Sequence, residues 1–265
     1  MGVADRADEK TKGRASSPLV LIPVTAEDVA RRKRRIVAAC LLAAFLIAAS
    51  AGWLYKRSVD PLHAQESYDA GVRLLKTARY SHAILSFDRA VALKPDFADA
   101  FLMRGRAYAG DTKTEHAIAD FTKTLELRPN DTSALLDRAS AYLELKDFQS
   151  AVLDTNRAMA IDAKLAEAYN LRGAAVRSLG DTKEALNDFS RAVELAPNAD
   201  NYFQRGATYQ MLGDHKHALA DFDRVIAVNP ADAPGYFARA RSRRALGDLS
   251  GARSDYQKAR YLDSR

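Results

Sequence analysis

The sequence predicts an all-α protein in which one membrane-spanning helix precedes a stacked array of six helix-turn-helix units. Two observations predict this fold. From Ala64 onward, a pattern of small and apolar residues recurs six times at a spacing of 34 residues, slipping once to 33. Upstream, residues 36–54 form an uncharged stretch of 19 residues. A fixed period of this length is typical of arrays in which each unit buries its apolar face against its neighbours.

Three kinds of residue mark the repeat, each at a fixed place in the unit. A small residue is followed after twelve residues by an alanine, and four residues later by an aromatic residue, or by threonine in the third unit. The small residues are Gly71, Gly105, Ala139, Gly173, Gly206 and Ala240; the alanines are Ala83, Ala117, Ala151, Ala185, Ala218 and Ala252; the third set is Phe87, Phe121, Thr155, Phe189, Phe222 and Tyr256. The predicted repeats 1 to 6 are 64–97, 98–131, 132–165, 166–198, 199–232 and 233–265.

Each unit contains two apolar patterns of helical period separated by a polar turn. In repeat 2, Phe101, Gly105 and Tyr108 recur at offsets of four and three, and residues 117–127 form a second stripe. Gly-Asp pairs at 180–181, 213–214 and 247–248 lie between the two helices, where glycine allows positive φ and aspartate caps the next helix. A proline, which cannot continue a helix, follows the second helix of most units.

With these residues the chain resembles the tetratricopeptide repeat family over about three quarters of its length. The resemblance implies a right-handed superhelical solenoid whose first helices line a concave groove that binds a protein or peptide. Repeat 3 departs from the pattern at Thr155 and Ala163, so its second helix is expected to pack less tightly. Repeat 6 carries Arg243 in place of a tyrosine and ends without a capping helix, so its end face is expected to be less well covered than is usual in the family.

A second regularity joins an arginine of the first helix to an aspartate of the second helix, 16 residues later. The pairs are Arg104 with Asp120, Arg138 with Asp154, Arg172 with Asp188, Arg205 with Asp221 and Arg239 with Asp255. Repeat 1 lacks both members, with Ala70 and Ser86 in their places. Because the arginine and the aspartate are absent together from repeat 1, the pattern favours structural ion pairs within each of the other repeats. The alternative is an arginine ladder that recognises a carboxylate-rich ligand.

The segment 31–57, a basic flank followed by the apolar stretch, predicts a single transmembrane helix. Five basic residues at 31–35 precede it, whereas only Lys56 and Arg57 follow, which places the N-terminus in the cytoplasm and the repeats in the periplasm of a bacterial inner-membrane protein. The alternative is a secretory signal cleaved before Gly52. Residues 1–30 are predicted to be a disordered cytoplasmic tail, and residues 58–63 a linker in which Pro61 breaks the helix.

The composition excludes several function classes. Of the net charge of +6, residues 1–35 carry +4 and residues 36–63 carry +1, which leaves about +1 for the array and no basic face for nucleic acid. Cys40 is the single cysteine, so an intrachain disulfide is excluded. His215 and His217 lie two residues apart and point to different sides of a helix, so no metal site is predicted. The sequence carries no catalytic or phosphate-binding motif, and we expect neither a cofactor, nor a small-molecule substrate, nor enzymatic activity.

The resemblance places three rows of first-helix residues in the groove. The first row is Tyr68, Leu102, Leu136, Asn170, Phe203 and Phe237; the other two rows contribute four cations, Arg106, Arg177, Arg241 and Arg244. These rows predict a surface for an extended or helical peptide with some negative charge. The alternative for Phe203 and Phe237 is that they pack between neighbouring repeats. The predicted function is therefore a membrane-anchored protein-interaction scaffold; the alternatives are a secreted repeat protein or an accessory subunit of an envelope enzyme.

Overall fold

The computed structural model describes residues 26–264, which form helices joined by short loops, without a β-strand in that range. Residues from Ser58 onward form one compact unit. The helices are α1 (Ala26–Lys76), α2 (Tyr80–Leu93), α3 (Ala98–Gly110), α4 (Thr114–Leu127), α5 (Thr132–Glu144), α6 (Phe148–Ile161), α7 (Ala166–Ser178), α8 (Thr182–Leu195), α9 (Ala199–Met211), α10 (His215–Val228), α11 (Ala233–Ala245) and α12 (Leu249–Asp263).

The predicted start of each repeat from 2 to 6 coincides with the first residue of an odd-numbered helix, α3 to α11. Each helix packs against the next one in the chain. The first helices of neighbouring repeats, from α3 to α11, also contact one another, whereas among the described residues the second helices do not. The first helices are therefore the more closely spaced layer, and the stack curves toward them. We call the exposed side of this layer the inner face.

Helix α1 continues from Ala26 to Lys76, and its last part, from Ala64, is the first helix of repeat 1. Pro61 lies inside this helix, so the prediction of a linker at 58–63 in which Pro61 breaks the helix is wrong. A proline removes one helical hydrogen bond, but Ala64 is fully buried in a cluster with Ala90 and Phe97, which holds the following turns in place.

In the part of the chain that the structure describes, no helix combines the length and apolar content needed to cross a membrane. The predicted span includes positions 36, 48–49 and 51–54, whose side chains lie outside the described residues. Residues 1–25 of the predicted disordered tail also lie outside them, whereas residues 26–30 belong to α1, so the predicted tail extends too far.

The turns inside the repeats follow the predicted chemistry. The Asp181, Asp214 and Asp248 carboxylates each accept a hydrogen bond from the backbone amide three residues later and cap α8, α10 and α12. In repeats 4 to 6 the residue before the aspartate is a glycine with φ between 79° and 101°. In repeats 1 to 3 that place is taken by Ala78, Thr112 and Lys146, which adopt the same left-handed conformation with φ between 54° and 61°.

The two helices of a repeat approach each other where a small residue faces an aromatic ring. At Gly105 an added Cβ would lie 2.6 Å from Cε1 of Phe121, and glycine faces phenylalanine in the same way in repeats 1, 4 and 5. Repeat 3 instead has Ala139 and Thr155, both fully buried, and the Thr155 hydroxyl donates to the Ala151 carbonyl at 2.8 Å. Repeat 3 thus combines a larger small residue with a smaller partner, whereas repeat 6 has Ala240 and Tyr256 at the two places.

The one spacing of 33 residues, between repeats 4 and 5, arises from a shorter junction between the second helix of repeat 4 and the first helix of repeat 5. Only residues 196–198 join α8 to α9, whereas four residues join α2 to α3, α4 to α5, α6 to α7 and α10 to α11. The buried Asn201 side chain fills this junction: its Nδ2 donates to the carbonyls of Ala196 at 2.8 Å and Ala192 at 3.2 Å. The other repeats have alanine or glycine at the same place in α3, α5, α7 and α11.

Candidate partner-binding surface

The first predicted groove row is largely covered by neighbouring repeats. Leu102 and Leu136 are only 5% and 6% exposed and lie in one core cluster with Phe121 and Leu125. Their prediction as partner contacts is therefore wrong. The helical period correctly places them on the side of α3 and α5 that faces the next helix pair, but packing against that pair leaves almost no surface for a ligand.

The aromatic residues of the same row divide into packed and exposed members. The Tyr68 ring contacts those of Phe87 and Phe97 at centroid distances of 5.9 and 5.0 Å. Phe203 is half-buried: its ring meets the buried Phe222 of the same repeat edge-on at 5.7 Å, and it also lines an open depression. Phe237 differs, since it is 53% exposed while contacting Tyr256.

Two of the predicted groove arginines join adjacent repeats. Arg106 Nε donates to Asp137 of repeat 3 at 2.6 Å, and burial raises the pKa of that aspartate. Arg177 is half-buried between repeats 4 and 5; its guanidinium donates to Thr208 Oγ1 at 3.2 Å and Gln204 Oε1 at 2.9 Å. Desolvation lowers the pKa of Arg177 from its ordinary value, yet an arginine stays charged at neutral pH.

The remaining groove cations, Arg241 and Arg244, lie exposed on α11 of repeat 6. Neither makes an ion pair with a residue that the structure describes. Their neighbour Arg243, in contrast, pairs with Asp255 at 2.9 Å, which explains why an arginine replaces the usual tyrosine there. The free cations of the inner face are thus concentrated in the last repeat.

Two adjacent depressions remain open on the inner face between repeats 4, 5 and 6. The first, about 420 Å³, is lined by Glu167, Asn170, Asn198 and Asp200. Asn170 Nδ2 donates to Asn201 Oδ1 at 2.6 Å and to Asp200 Oδ2 at 3.3 Å. The second depression, about 340 Å³, is lined by Ala199, Asp200, Phe203, Val225, Asp232 and Pro234. Amide and carboxylate groups beside an aromatic ring can bind backbone and side-chain groups of a peptide.

Glu167 and Asp200 are surface residues that the sequence analysis missed. Each lies one helical turn before a predicted groove residue, Asn170 or Phe203, on the same side of the first helix. A fourth row of first-helix residues, one turn before the first groove row, could have identified both residues from the sequence. Its acidic members show that the inner face carries both signs of charge, with carboxylates in repeats 4 and 5 and free arginines in repeat 6.

The predicted ion pairs are confirmed in all five repeats. In each, the arginine Nε and Nη2 donate to both oxygens of the aspartate carboxylate at 2.6 to 2.9 Å. Four of the arginines use Nη1 to reach a side chain of the preceding repeat: Asp88, Thr122, Asn156 or Asp223. The paired arginines therefore hold the stack together, contrary to the alternative of a ligand-binding ladder.

Of the two histidines considered as metal ligands, His217 takes part in local contacts. His217 Nδ1 lies 2.6 Å from Asp214 Oδ2, and its ring stacks on Tyr209 at 5.2 Å. His116 contacts Tyr108 at 5.1 Å in the same place of repeat 2. Among the residues that the structure describes, no group of three or more histidine, cysteine, aspartate or glutamate side chains is arranged to hold a metal ion.

The fold and this surface define a helical-repeat protein of the class that binds other proteins or peptides. Family comparison agrees, because tetratricopeptide repeats match residues 68–114, 102–166, 166–198 and 203–264. The chain belongs to the tetratricopeptide repeat family. No curated protein sequence matches it.

Solved structures with the same fold come from several bacteria. A repeat protein from Parabacteroides merdae shares 21% identity and a TM-score of 0.64, covering 89% of this chain and 92% of its own. MamA from Desulfovibrio magneticus RS-1 shares 22% identity and a TM-score of 0.59, covering 64% of this chain and 97% of its own. YrrB, a repeat protein with an unusual peptide-binding site, shares 21% identity and a TM-score of 0.53, covering 66% of this chain and 91% of its own. At these identities the likeness shows the fold alone.

Proposed function

We propose that this protein is a membrane-anchored scaffold that binds a partner protein or peptide on the inner face of repeats 4 to 6. The observation that carries the proposal is the pair of adjacent depressions that share Asp200. Here Asn170 and Asp200 offer hydrogen-bonding groups, Phe203 offers the edge of a ring, and the exposed Arg241 lies in the next repeat. The groove is therefore best suited to an extended peptide of mixed charge. The presence of a peptide-binding site in YrrB, which has the same fold, supports this ligand class.

Anchoring is proposed from the sequence and from the exposure of the upstream helix. Residues 36–54 are uncharged, and the apolar side chains Val37, Leu41, Leu42, Phe45, Leu46 and Ile47 are 58% to 69% exposed. A contiguous apolar surface of this kind requires a covering medium or partner. A lipid bilayer is the proposed medium, with the basic residues at 31–35 on the cytoplasmic side and the repeats in the periplasm of a bacterial cell. Confinement at the membrane would raise the effective concentration of the partners that the scaffold binds.

Site-specific photocrosslinking in cells tests the inner face. A photoreactive amino acid replaces the exposed inner-face residue Glu167 or Arg241, and matched controls carry it at Leu153 or Arg224 on the second helices. We expect crosslinks to one partner protein from the inner-face positions and none from the controls. Crosslinks from the control positions alone would assign binding to the outer helices and contradict the proposal.

Two further measurements test the anchor independently of the groove. Alkaline carbonate washing should leave the full-length chain in the membrane fraction, and external protease should digest the repeats only after the outer membrane is opened. Release by carbonate would contradict the anchor without bearing on peptide binding. A mature chain beginning at Gly52 would instead establish the secreted alternative.

A further inference from the structure

The surface of repeat 6 that faces away from repeat 5 differs from the equivalent surface of every other repeat. Two positions of the second helix are apolar in repeats 1 to 5 and arginine in repeat 6. The first position holds Ile84, Ile118, Val152, Leu186, Leu219 and then Arg253; the second holds Val91, Leu125, Met159, Val193, Ile226 and then Arg260. In the earlier repeats these side chains pack against the next repeat, as Ile84 does beside Ala107 and Val152 beside Ala175. A further repeat of the same kind would bury both arginines.

This surface nevertheless keeps an apolar floor, formed by Phe237, Leu249 and Tyr256. Phe237 is 53% and Leu249 is 67% exposed, whereas Phe203, at the place of Phe237 in repeat 5, is half-buried against a core cluster. Two open depressions of about 310 and 350 Å³ are lined by α11 and α12 and share Arg260. Exposed large apolar side chains grouped around depressions are typical of an interaction site.

The rim of the floor is cationic. Arg244, Arg253 and Arg260 line the two depressions, and none of them forms an ion pair with a residue that the structure describes. Asp263 is the one carboxylate among the described lining residues. A surface that only contacts water would be equally soluble with charges of both signs interspersed. Three unpaired arginines around aromatic and aliphatic side chains complement an acidic, amphipathic partner.

We propose that this terminal face, consisting of Phe237, Arg244, Leu249, Arg253, Tyr256 and Arg260, binds an acidic amphipathic α-helix of a partner protein. A helix is the expected shape because the equivalent surface of each of repeats 1 to 5 packs against the first helix of the next repeat. A second copy meeting the same face would bring two sets of arginines together, which is unfavourable. The inference goes beyond the proposed function, because this face can bind its partner even if the depressions around Asp200 bind nothing.

Fluorescence anisotropy with two matched peptides tests the proposal on the full-length protein. Both peptides are helical, about 18 residues long, with leucines along one side; glutamates flank the leucines in one and lysines in the other. We expect the wild type to bind the glutamate peptide about tenfold more tightly than the lysine peptide. The Arg253→Glu/Arg260→Glu variant should reverse this preference. The matched control, Arg89→Glu/Arg224→Glu, changes two exposed arginines on the second helices of repeats 1 and 5 and should leave it unchanged.

Circular dichroism establishes that each variant keeps its helical content, so that a change in preference reports the surface. Equal binding of the two peptides by the wild type would overturn the proposal, as would a preference that survives the charge reversal at 253 and 260. Sedimentation that shows a wild-type dimer and a monomeric Arg253→Glu/Arg260→Glu variant would also overturn it, since the face would then belong to a second copy. None of these outcomes depends on the crosslinking at Glu167 and Arg241.

Discussion

Arg104 and Asp120 form a two-point ion pair between the helices of repeat 2: Nε and Nη2 of the arginine each donate to one carboxylate oxygen at 2.7 Å. The remaining Nη1 donates to Asp88 of repeat 1 at 2.7 Å. Pairing with both aspartates raises the pKa of Arg104. One guanidinium thus joins three helices from two repeats. Because its planar geometry fixes the directions of all three hydrogen bonds, the arginine sets both the angle within a repeat and the stacking between repeats.

Removing the equivalent cation from repeat 3 should be strongly destabilising. The Arg138 and Asp154 side chains are 13% and 5% exposed, so Arg138→Met leaves a buried carboxylate without its partner. We expect the free energy of unfolding, measured by urea denaturation, to fall by about 3 kcal/mol. The double variant Arg138→Met/Asp154→Leu should recover most of that loss. A double variant no more stable than the single one would show that geometry, rather than the unpaired charge, dominates the cost.

In repeats 1 to 5, the small residue and its partner should be interchangeable only as a pair. Thr155→Phe alone would place a ring against Ala139, the contact that glycine avoids in four other repeats, and should cost about 1–3 kcal/mol. Adding Ala139→Gly should recover at least about 1 kcal/mol of this loss. A thermodynamic cycle of the two single variants and the double variant measures the coupling. Purely additive effects would contradict the pairing.

Asn201 should be indispensable at the short junction. Asn201→Ala restores the alanine found at this place in α3, α5 and α7, but it removes the hydrogen bonds to Ala192 and Ala196 at the end of α8. Because the side chain is buried, we expect a loss of about 1–3 kcal/mol by thermal or urea denaturation. Asn198→Ala is the matched comparison, since it removes only the cap of α9 and should cost about 1 kcal/mol. An Asn201→Ala variant as stable as the wild type would refute the role assigned to the amide.

Lys146→Gly should stabilise the protein. Lys146 has a φ of 61° in the turn where repeats 4 to 6 carry glycine, and a left-handed conformation costs a non-glycine residue about 1–2 kcal/mol. Part of this gain is offset by the greater freedom of glycine in the unfolded chain, which leaves about 0.5–1 kcal/mol. The reciprocal variant Gly213→Ala should lower the melting temperature. A destabilised Lys146→Gly variant would show that the lysine side chain makes a compensating contribution.

The Arg106–Asp137 pair predicts a pH dependence. Burial raises the pKa of Asp137 above its ordinary value of 3.8, and the hydrogen bond from Arg106 only partly opposes this. The native state therefore binds the proton more tightly than the unfolded chain does. The contribution of Asp137 to the free energy of unfolding falls as the pH rises from the ordinary pKa to the raised one. Asp137→Asn keeps an acceptor for Arg106 but does not titrate. Its stability relative to the wild type should rise as the pH is raised from about 4 toward neutrality. A constant difference across this range would contradict the shift.

The sequence alone was sufficient to predict the repeats and the ion pairs within them. The repeat period and the helix signals located the first residues of α3, α5, α7, α9 and α11, because each repeat packs its two helices with the same kinds of residue. The joint absence of arginine and aspartate from repeat 1 predicted the pairs, since a buried charge is rarely kept without its partner. The bonds from these arginines to the preceding repeat were not predicted, because Asp88, Thr122, Asn156 and Asp223 share only polarity.

The candidate site was less predictable than the fold. A helical period shows which side of α3 Leu102 occupies but not how closely the next helix approaches, so a predicted groove residue became a core residue. Pro61 shows the same limitation, because its effect on α1 depended on the burial of Ala64 in the array. The position of Asp200 in two depressions follows from the short junction before α9, which no single repeat reveals.

The arginines at 253 and 260 also bear on how such an array can change its length in evolution. Tandem duplication that copied repeat 6 would place two cations inside a new repeat junction, where the equivalent residues of repeats 1 to 5 are apolar. Duplication of an internal repeat such as repeat 2 meets no such barrier, because both of its surfaces already match a neighbour. Growth of this protein by gene duplication is therefore expected from the middle of the array.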